Sequence, residues 1–132
     1  MKLHFCIVLA TLSLISCSNL SKETFVKISS SRSGIDFKNE LIENDTLNYT
    51  KFPYMYMGGG VSVGDINNDG LDDIFFTGNL VPNKLYLNKG NMKFEDISAK
   101  AGISGNHQWF TGSTMADVNN DGWLDIYVCV SK

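Results

Sequence analysis

The sequence predicts an all-β protein: a partial β-propeller of about one and a half blades, after an N-terminal signal helix and an irregular tether. Three observations predict it. An acidic loop, Asp65-Ile-Asn67-Asn-Asp69-Gly70-Leu-Asp-Asp73, is written again as Asp117-Val-Asn119-Asn-Asp121-Gly122-Trp-Leu-Asp125, a step of 52 residues. Short runs of β-branched and aromatic residues bracket each copy, the composition of strands rather than helices. Helical periodicity of three or more turns is confined to the N-terminus. Aligning Gly60–Phe76 on Gly112–Val128 gives eight identities in seventeen positions. A period of about fifty with several strands per repeat is that of a propeller with one four-stranded blade per repeat, and closure takes typically 4–8 blades. The second repeat stops just after a strand, so the chain reads as an N-terminal fragment of a longer protein.

The elements follow in order. Lys2 starts a signal-like segment whose apolar run, Phe5 to Ile15, is too short to span a bilayer of roughly 20 residues. Leu14-Ile15-Ser16-Cys17 resembles the bacterial lipobox, which implies a signal peptide over 1–16 and lipid on Cys17. Acyl chains add about 0.8 kcal/mol per buried CH₂, so two or more hold a protein stably on a membrane. With Cys6 removed and Cys17 lipidated, Cys129 remains, and no internal disulfide can form. Cys129 sits in an apolar run and reads as a small buried hydrophobe.

Residues 17–56 read as tether and lead-in. Ser18 to Ser33 is rich in Ser and Lys, and Ile35 to Tyr49 has no clean period, which suggests irregular structure with one short strand. Residues 57–132 hold the repeats, the first over about 57–108 and the second, incomplete, over about 109–132. Strands are expected at Val61–Gly64, Ile74–Thr77, Lys84–Leu87, Lys93–Ile97, Thr111–Ala116 and Ile126–Val130. Asn88-Lys-Gly90-Asn91 suits a hairpin, and Ala99–Ile103 suits one helical turn closed by Gly102 or Gly105.

Each loop places oxygen-bearing side chains at positions 1, 3, 5 and 9 around a glycine at 6. Calcium takes 6–8 oxygens at about 2.3–2.6 Å, and the glycine permits the sharp bend that gathers them. Two unit charges about 4 Å apart repel by roughly 4 kcal/mol at an effective dielectric of 20, a term that a divalent cation reverses. An EF-hand would need Glu at position 12 and flanking helices; Phe76 and Val128 stand there, between strand-forming runs.

Glycine before the loop, D-x-N-x-D-G-x-x-D, then Ile-Phe-Phe or Ile-Tyr-Val closely resembles the FG-GAP (VCBS) repeat of integrin-like propellers, over roughly Met57 to Lys132. Asn83-Lys-Leu-Tyr-Leu-Asn88, Phe94-Glu-Asp-Ile97 and Ala101-Gly-Ile103 resemble the lipoprotein branch of that group, whose members often carry an ASPIC/UnbV domain. The resemblance implies two calcium sites. Asp65, Asn67, Asp69, Asp73 and the carbonyl of Leu71 would form one; Asp117, Asn119, Asp121, Asp125 and the carbonyl of Trp123 the other. The second repeat departs by carrying Ala116 where the first has Gly64, and Asp72 faces Leu124 and reads as a surface charge.

Net charge is −3 without a basic patch, which argues against a nucleic-acid partner. His107 reads as a structural or surface residue at a strand start, and Tyr54, Trp109 and Trp123 as fillers between blades rather than sugar platforms. The reading is therefore a non-enzymatic calcium-binding module of an outer-membrane lipoprotein in a bacterial cell envelope, on its periplasmic or exposed side, engaging a protein or polysaccharide. Its rivals are the propeller part of a carbohydrate-active enzyme whose catalytic residues lie elsewhere, and a structural spacer.

Overall fold

The computed structural model describes residues 24–105 and 107–131; the expected signal peptide, Cys17 and the start of the tether lie outside them. Strands β1 (Val61–Gly64), β2 (Asp73–Phe76), β3 (Lys84–Asn88) and β4 (Phe94–Asp96) form one antiparallel sheet in chain order. β5 (Trp109–Ala116) and β6 (Asp125–Ser131) pair as a second sheet. This is one full blade and the opening hairpin of another, an all-β partial propeller.

Turn chemistry sets the connections. Gly90, Asn91 and Met92 carry positive φ in the β3–β4 hairpin, where the Lys89 N–H donates to the Lys93 carbonyl at 2.7 Å. A single helical turn follows at Ser98–Ala101, ended by Gly102 at φ 68°. Both acidic loops occupy the same place, between the first two strands of their sheet, with Gly64 paired to Asp73 and Ala116 to Asp125.

Pleating divides the core. Phe75 and Leu85 are cross-strand partners on the face toward β5 and β6, and both are buried. There β1 and β5 nearly touch. A Cβ on Gly60 would lie 2.6 Å from the Ser113 nitrogen, and the Ser62 and Ser113 hydroxyls bond at 3.1 Å. Further out the sheets separate around Phe75, Phe110, Ile126 and Val128.

The lead-in covers the opposite face. Phe37 stacks on Phe76 at 4.9 Å, and Tyr86 meets Phe76 edge-on at 5.9 Å. The Tyr86 hydroxyl donates to Asp36 Oδ1 at 2.7 Å. Asn39 and Asn79 bond reciprocally: Asn39 Nδ2 donates to Asn79 Oδ1 at 2.6 Å, and the Asn79 N–H to Asn39 Oδ1 at 2.8 Å. Packed structure begins earlier than the Ser- and Lys-rich composition suggests. α1 (Ser30–Ser33) ends at Gly34, whose positive φ and closeness to the Phe94 carbonyl leave no room for a side chain. The short strand expected within 35–49 is replaced by irregular chain, because its polar atoms bond to side chains of the blade rather than to a strand edge.

Cys129 is exposed, not buried. Alternation along β6 turns Ile126 and Val128 toward the first blade, and so sends Tyr127 and Cys129 to the other face. An apolar run does not say which of its alternate residues face a neighbour.

Burial, and then the hydrogen bond to Asp36, pushes the Tyr86 phenol well above its ordinary ionisation range. The unfolded chain releases this proton near pH 10 while the folded chain keeps it, so the contribution is complete below pH 10 and declines above it. Tyr86→Phe is expected to cost about 1 kcal/mol at neutral pH and to make the alkaline loss of stability shallower, as read by denaturant melts from pH 8 to 11.

Candidate metal centres

Each acidic loop is a bend whose inward N–H groups are met by its own side chains. In the first, Asp65 Oδ1 accepts from the Asp69 N–H at 3.0 Å and Oδ2 from the Gly70 N–H at 2.7 Å. Asn67 Oδ1 accepts from Asp69 at 3.1 Å, and Asp69 Oδ1 from Leu71 at 2.9 Å. The Asn67 amide donates to Asp69 Oδ2 at 2.9 Å, and Asp73 Oδ2 accepts from the Ile66 N–H at 3.0 Å.

The second loop repeats all six bonds. Asp117 accepts from Asp121 at 3.1 Å and Gly122 at 2.9 Å, Asn119 from Asp121 at 3.0 Å, and Asp121 from Trp123 at 2.9 Å. Asn119 donates to Asp121 at 2.9 Å, and Asp125 accepts from Val118 at 3.1 Å. The backbones agree too: Asn68 and Asn120 stand at φ 57° and 60°, and Gly70 and Gly122 both at 85°. Four side-chain positions thus recur in space as they do in sequence.

Leu71 and Trp123 lie on the outer side of their loops, 37% and 52% exposed. The Gly122 N–H, joined by those of Asp121, Asn120 and Asn119, holds the Asp117 carboxyl below the usual carboxylate range. Gly64 and Ala116 differ for a steric reason. A Cβ on Gly64 would fall 2.8 Å from Leu124 Cδ1 of the second loop, whereas Ala116 is exposed.

Among the described residues, no three His, Cys, Asp or Glu side chains converge closely enough to hold an ion. The carboxylates are turned to loop N–H groups instead. Two observations nevertheless fit a hard divalent cation. An ionised carboxylate has about four lone-pair sites, and each of these aspartates engages fewer than four. More telling is Asp73, which is fully buried and accepts from the Ile66 N–H and from the Asn88 N–H at 2.8 Å. The ion pairs among the described residues, Lys84–Asp96 and Lys89–Glu95, leave Asp73 without a cationic side chain. A buried carboxylate with no counter-ion is costly, and a cation in the loop would remove that cost.

Sequence reasoning passed over several contributors. Asn88 ties Asp73 to β3 and donates through its amide to the Asp72 carbonyl at 2.9 Å. Buried Asn79 donates to the Phe110 carbonyl at 2.7 Å, and Asn83 accepts from the Gly78 N–H at 2.9 Å. Asn83 and Asn88 bound a family-like motif, but asparagine is so common in turns that none of these positions signals the bonds it makes. His107 is exposed, and its Nδ1 lies 3.1 Å from the Leu80 carbonyl. Phe52, Tyr54, Met57 and Trp109 share a cleft of about 290 Å³, with Phe52 edge-on to Trp109 at 4.8 Å. Trp123, on the second loop, is no part of that cleft.

A four-stranded antiparallel blade, a second hairpin beside its innermost strand, and one acidic bend per sheet define a repeat of β-propeller type. More particularly, residues 65–128 match the model of the FG-GAP-like repeat family. Over 69 residues the chain is 45% identical to cartilage acidic protein 1 of Mus musculus, covering 52% of this chain and 11% of that protein. The Homo sapiens and Xenopus tropicalis proteins of the same name are 44% and 42% identical over 72 residues, or 54% of this chain and 11% of theirs. The chain therefore spans about a tenth of the length of the curated relatives it matches.

Replacing Asp73 by Ala strands the Ile66 and Asn88 N–H groups, at about 1–3 kcal/mol for each buried donor left unmet. Asp125→Ala strands one N–H, in a partly exposed setting. In chelator, Asp73→Ala is expected to lose at least about 2 kcal/mol by urea melt, and Asp125→Ala less than half as much.

Proposed function

We propose that this chain contributes calcium-binding propeller repeats to a membrane-anchored extracytoplasmic lipoprotein that engages a protein or polysaccharide partner. The observation that carries the metal reading is the buried Asp73 carboxylate, set in a loop whose ligand positions and bonding recur in the second repeat. Asp65, Asn67, Asp69, Asp73 and the Leu71 carbonyl would hold one ion. Asp117, Asn119, Asp121, Asp125 and the Trp123 carbonyl would hold the other.

Bound calcium supplies positive charge that offsets three carboxylates and clamps the bend between two strands. Extracellular modules bind calcium at about 10⁻⁴–10⁻³ M. At about 1 mM calcium and a dissociation constant of about 0.1 mM, each site adds about 1.4 kcal/mol. The role is structural, and no reaction is assigned to these residues. A catalytic remainder of a carbohydrate-active enzyme and a plain spacer are the competing readings. Calcium is expected to raise Tm, a chelator to lower it, and Asp69→Ala to reduce the bound ions from two to one by equilibrium dialysis. A melt indifferent to both calcium and chelator overturns the reading.

Anchoring is supported by the sequence alone: Lys2, the apolar run to Ile15, and Cys17 after Ser16. On this reading the protein belongs to a bacterial cell envelope. Tyr54 and Trp109, expected as fillers between blades, instead line an open cleft with Tyr54 66% exposed, and this accessible aromatic surface is what favours a polysaccharide partner. Cys17→Ser is expected to move the protein from the membrane to the soluble fraction, and Trp109→Ala to abolish signals on a glycan array. Persistence of either property counts against its half of the proposal.

A further inference from the structure

The two acidic bends touch, and we infer that Asn68 is a positioning residue that couples their cation affinities, so that filling one tightens the other. The inference rests on the calcium reading above. Asn68 Nδ2 donates to the Gly122 carbonyl at 3.0 Å, across 54 residues of chain. Gly122 in turn donates its N–H to Asp117 Oδ2. One glycine is thus held on one side by a ligand of the second loop and on the other by the first loop. Asn68 itself stands between Asn67 and Asp69, both ligands of the first.

A second contact fixes the spacing. Leu124, at position 8 of the second loop, packs where a Cβ of Gly64 would stand, immediately before Asp65. The sheets beneath are joined by the Ser62–Ser113 bond. An ion that orders Asp117 and Gly122 therefore orders the acceptor of Asn68, and the first loop then loses less freedom when it binds its own ion. Linkage makes the effect reciprocal. Charge acts in the opposite sense, since a cation in one loop weakens the attraction of the other. At 0.15 M ionic strength the Debye length is about 8 Å, which screens exposed charges, whereas the hydrogen bond persists. One net hydrogen bond sets a ceiling of about five-fold on the coupling.

Trp123 makes the second loop separately observable. It occupies position 7 there, where the first loop has Leu71. In a Trp109→Phe background, terbium luminescence excited through Trp123 reports filling of the second loop of the full chain at 0.15 M salt. Emptying the first loop by Asp69→Ala is expected to raise the half-saturating terbium concentration two- to five-fold. Asn68→Gly, which keeps the left-handed backbone and deletes the donor, is expected to give the same shift while equilibrium dialysis still counts two bound ions. Asn120→Gly, the same change in the second loop, is expected to leave half-saturation where it was. Coupling is overturned if Asp69→Ala produces no shift, or if Asn68→Gly titrates like its parent. A parent chain that binds no terbium and no calcium overturns the metal reading as well, and dialysis tells that result apart from two independent sites.

Discussion

A tight bend between antiparallel strands turns several N–H groups toward its own centre, where no strand can meet them, and the rest of this structure depends on how they are met. Here the acceptors are aspartate and asparagine oxygens two to seven residues away along the chain, arranged alike in both repeats. The solution gathers negative charge in a small volume. Near the bend's apex that charge is shared with solvent; at Asp73 it is buried between two strands. The same residues therefore satisfy the backbone and, on the proposal made above, would also present oxygens to a cation. The first need is met by the chain's own side chains in both repeats.

The blade relies on a similar economy of polar side chains. Asn39, Asn79 and Asn83 carry side-chain bonds outside the main strand ladders: lead-in to β2–β3 connection, that connection to β5, and the turn after β2 onto itself. Each is a buried or half-buried amide with defined partners, the condition under which burying such a group is not destabilising. Phe37 and Tyr86 then supply apolar area on the face that the second hairpin does not reach. The lead-in is accordingly a part of the first blade's packing, although its described residues contribute no strand.

Strand order, loop positions and the repeat itself were legible in the sequence because each leaves a local mark: alternation, turn glycines, or an acidic run at fixed spacing. Val61–Gly64 and the hairpin at Gly90 were read in place for that reason. What the sequence hid was long-range. Nothing near Asp36 announces Tyr86 as its partner, and nothing near Asn68 announces Gly122. Cys129 illustrates a third limit, since an apolar run on a two-sided strand cannot say which of its faces is covered. Of the site, the identities and positions of the side chains could be read, whereas the use of their oxygens by loop N–H groups could not.

The close approach of β1 to β5 has a geometric meaning. Along that seam Gly60 and Ser62 lie against Gly112 and Ser113, and Gly64 leaves room for Met115 and Leu124, while Phe75, Ile126 and Val128 hold the sheets apart further out. Side-chain volume rising from the inner strand outward makes the space between sheets a wedge, and the opening of a wedge is an angle. Repeated around an axis, that angle fixes how many such sheets complete a circle. A few hydrogens and hydroxymethyl groups on the innermost strands thus act as the protractor of the architecture, and enlarging them would change its symmetry before it changed its chemistry.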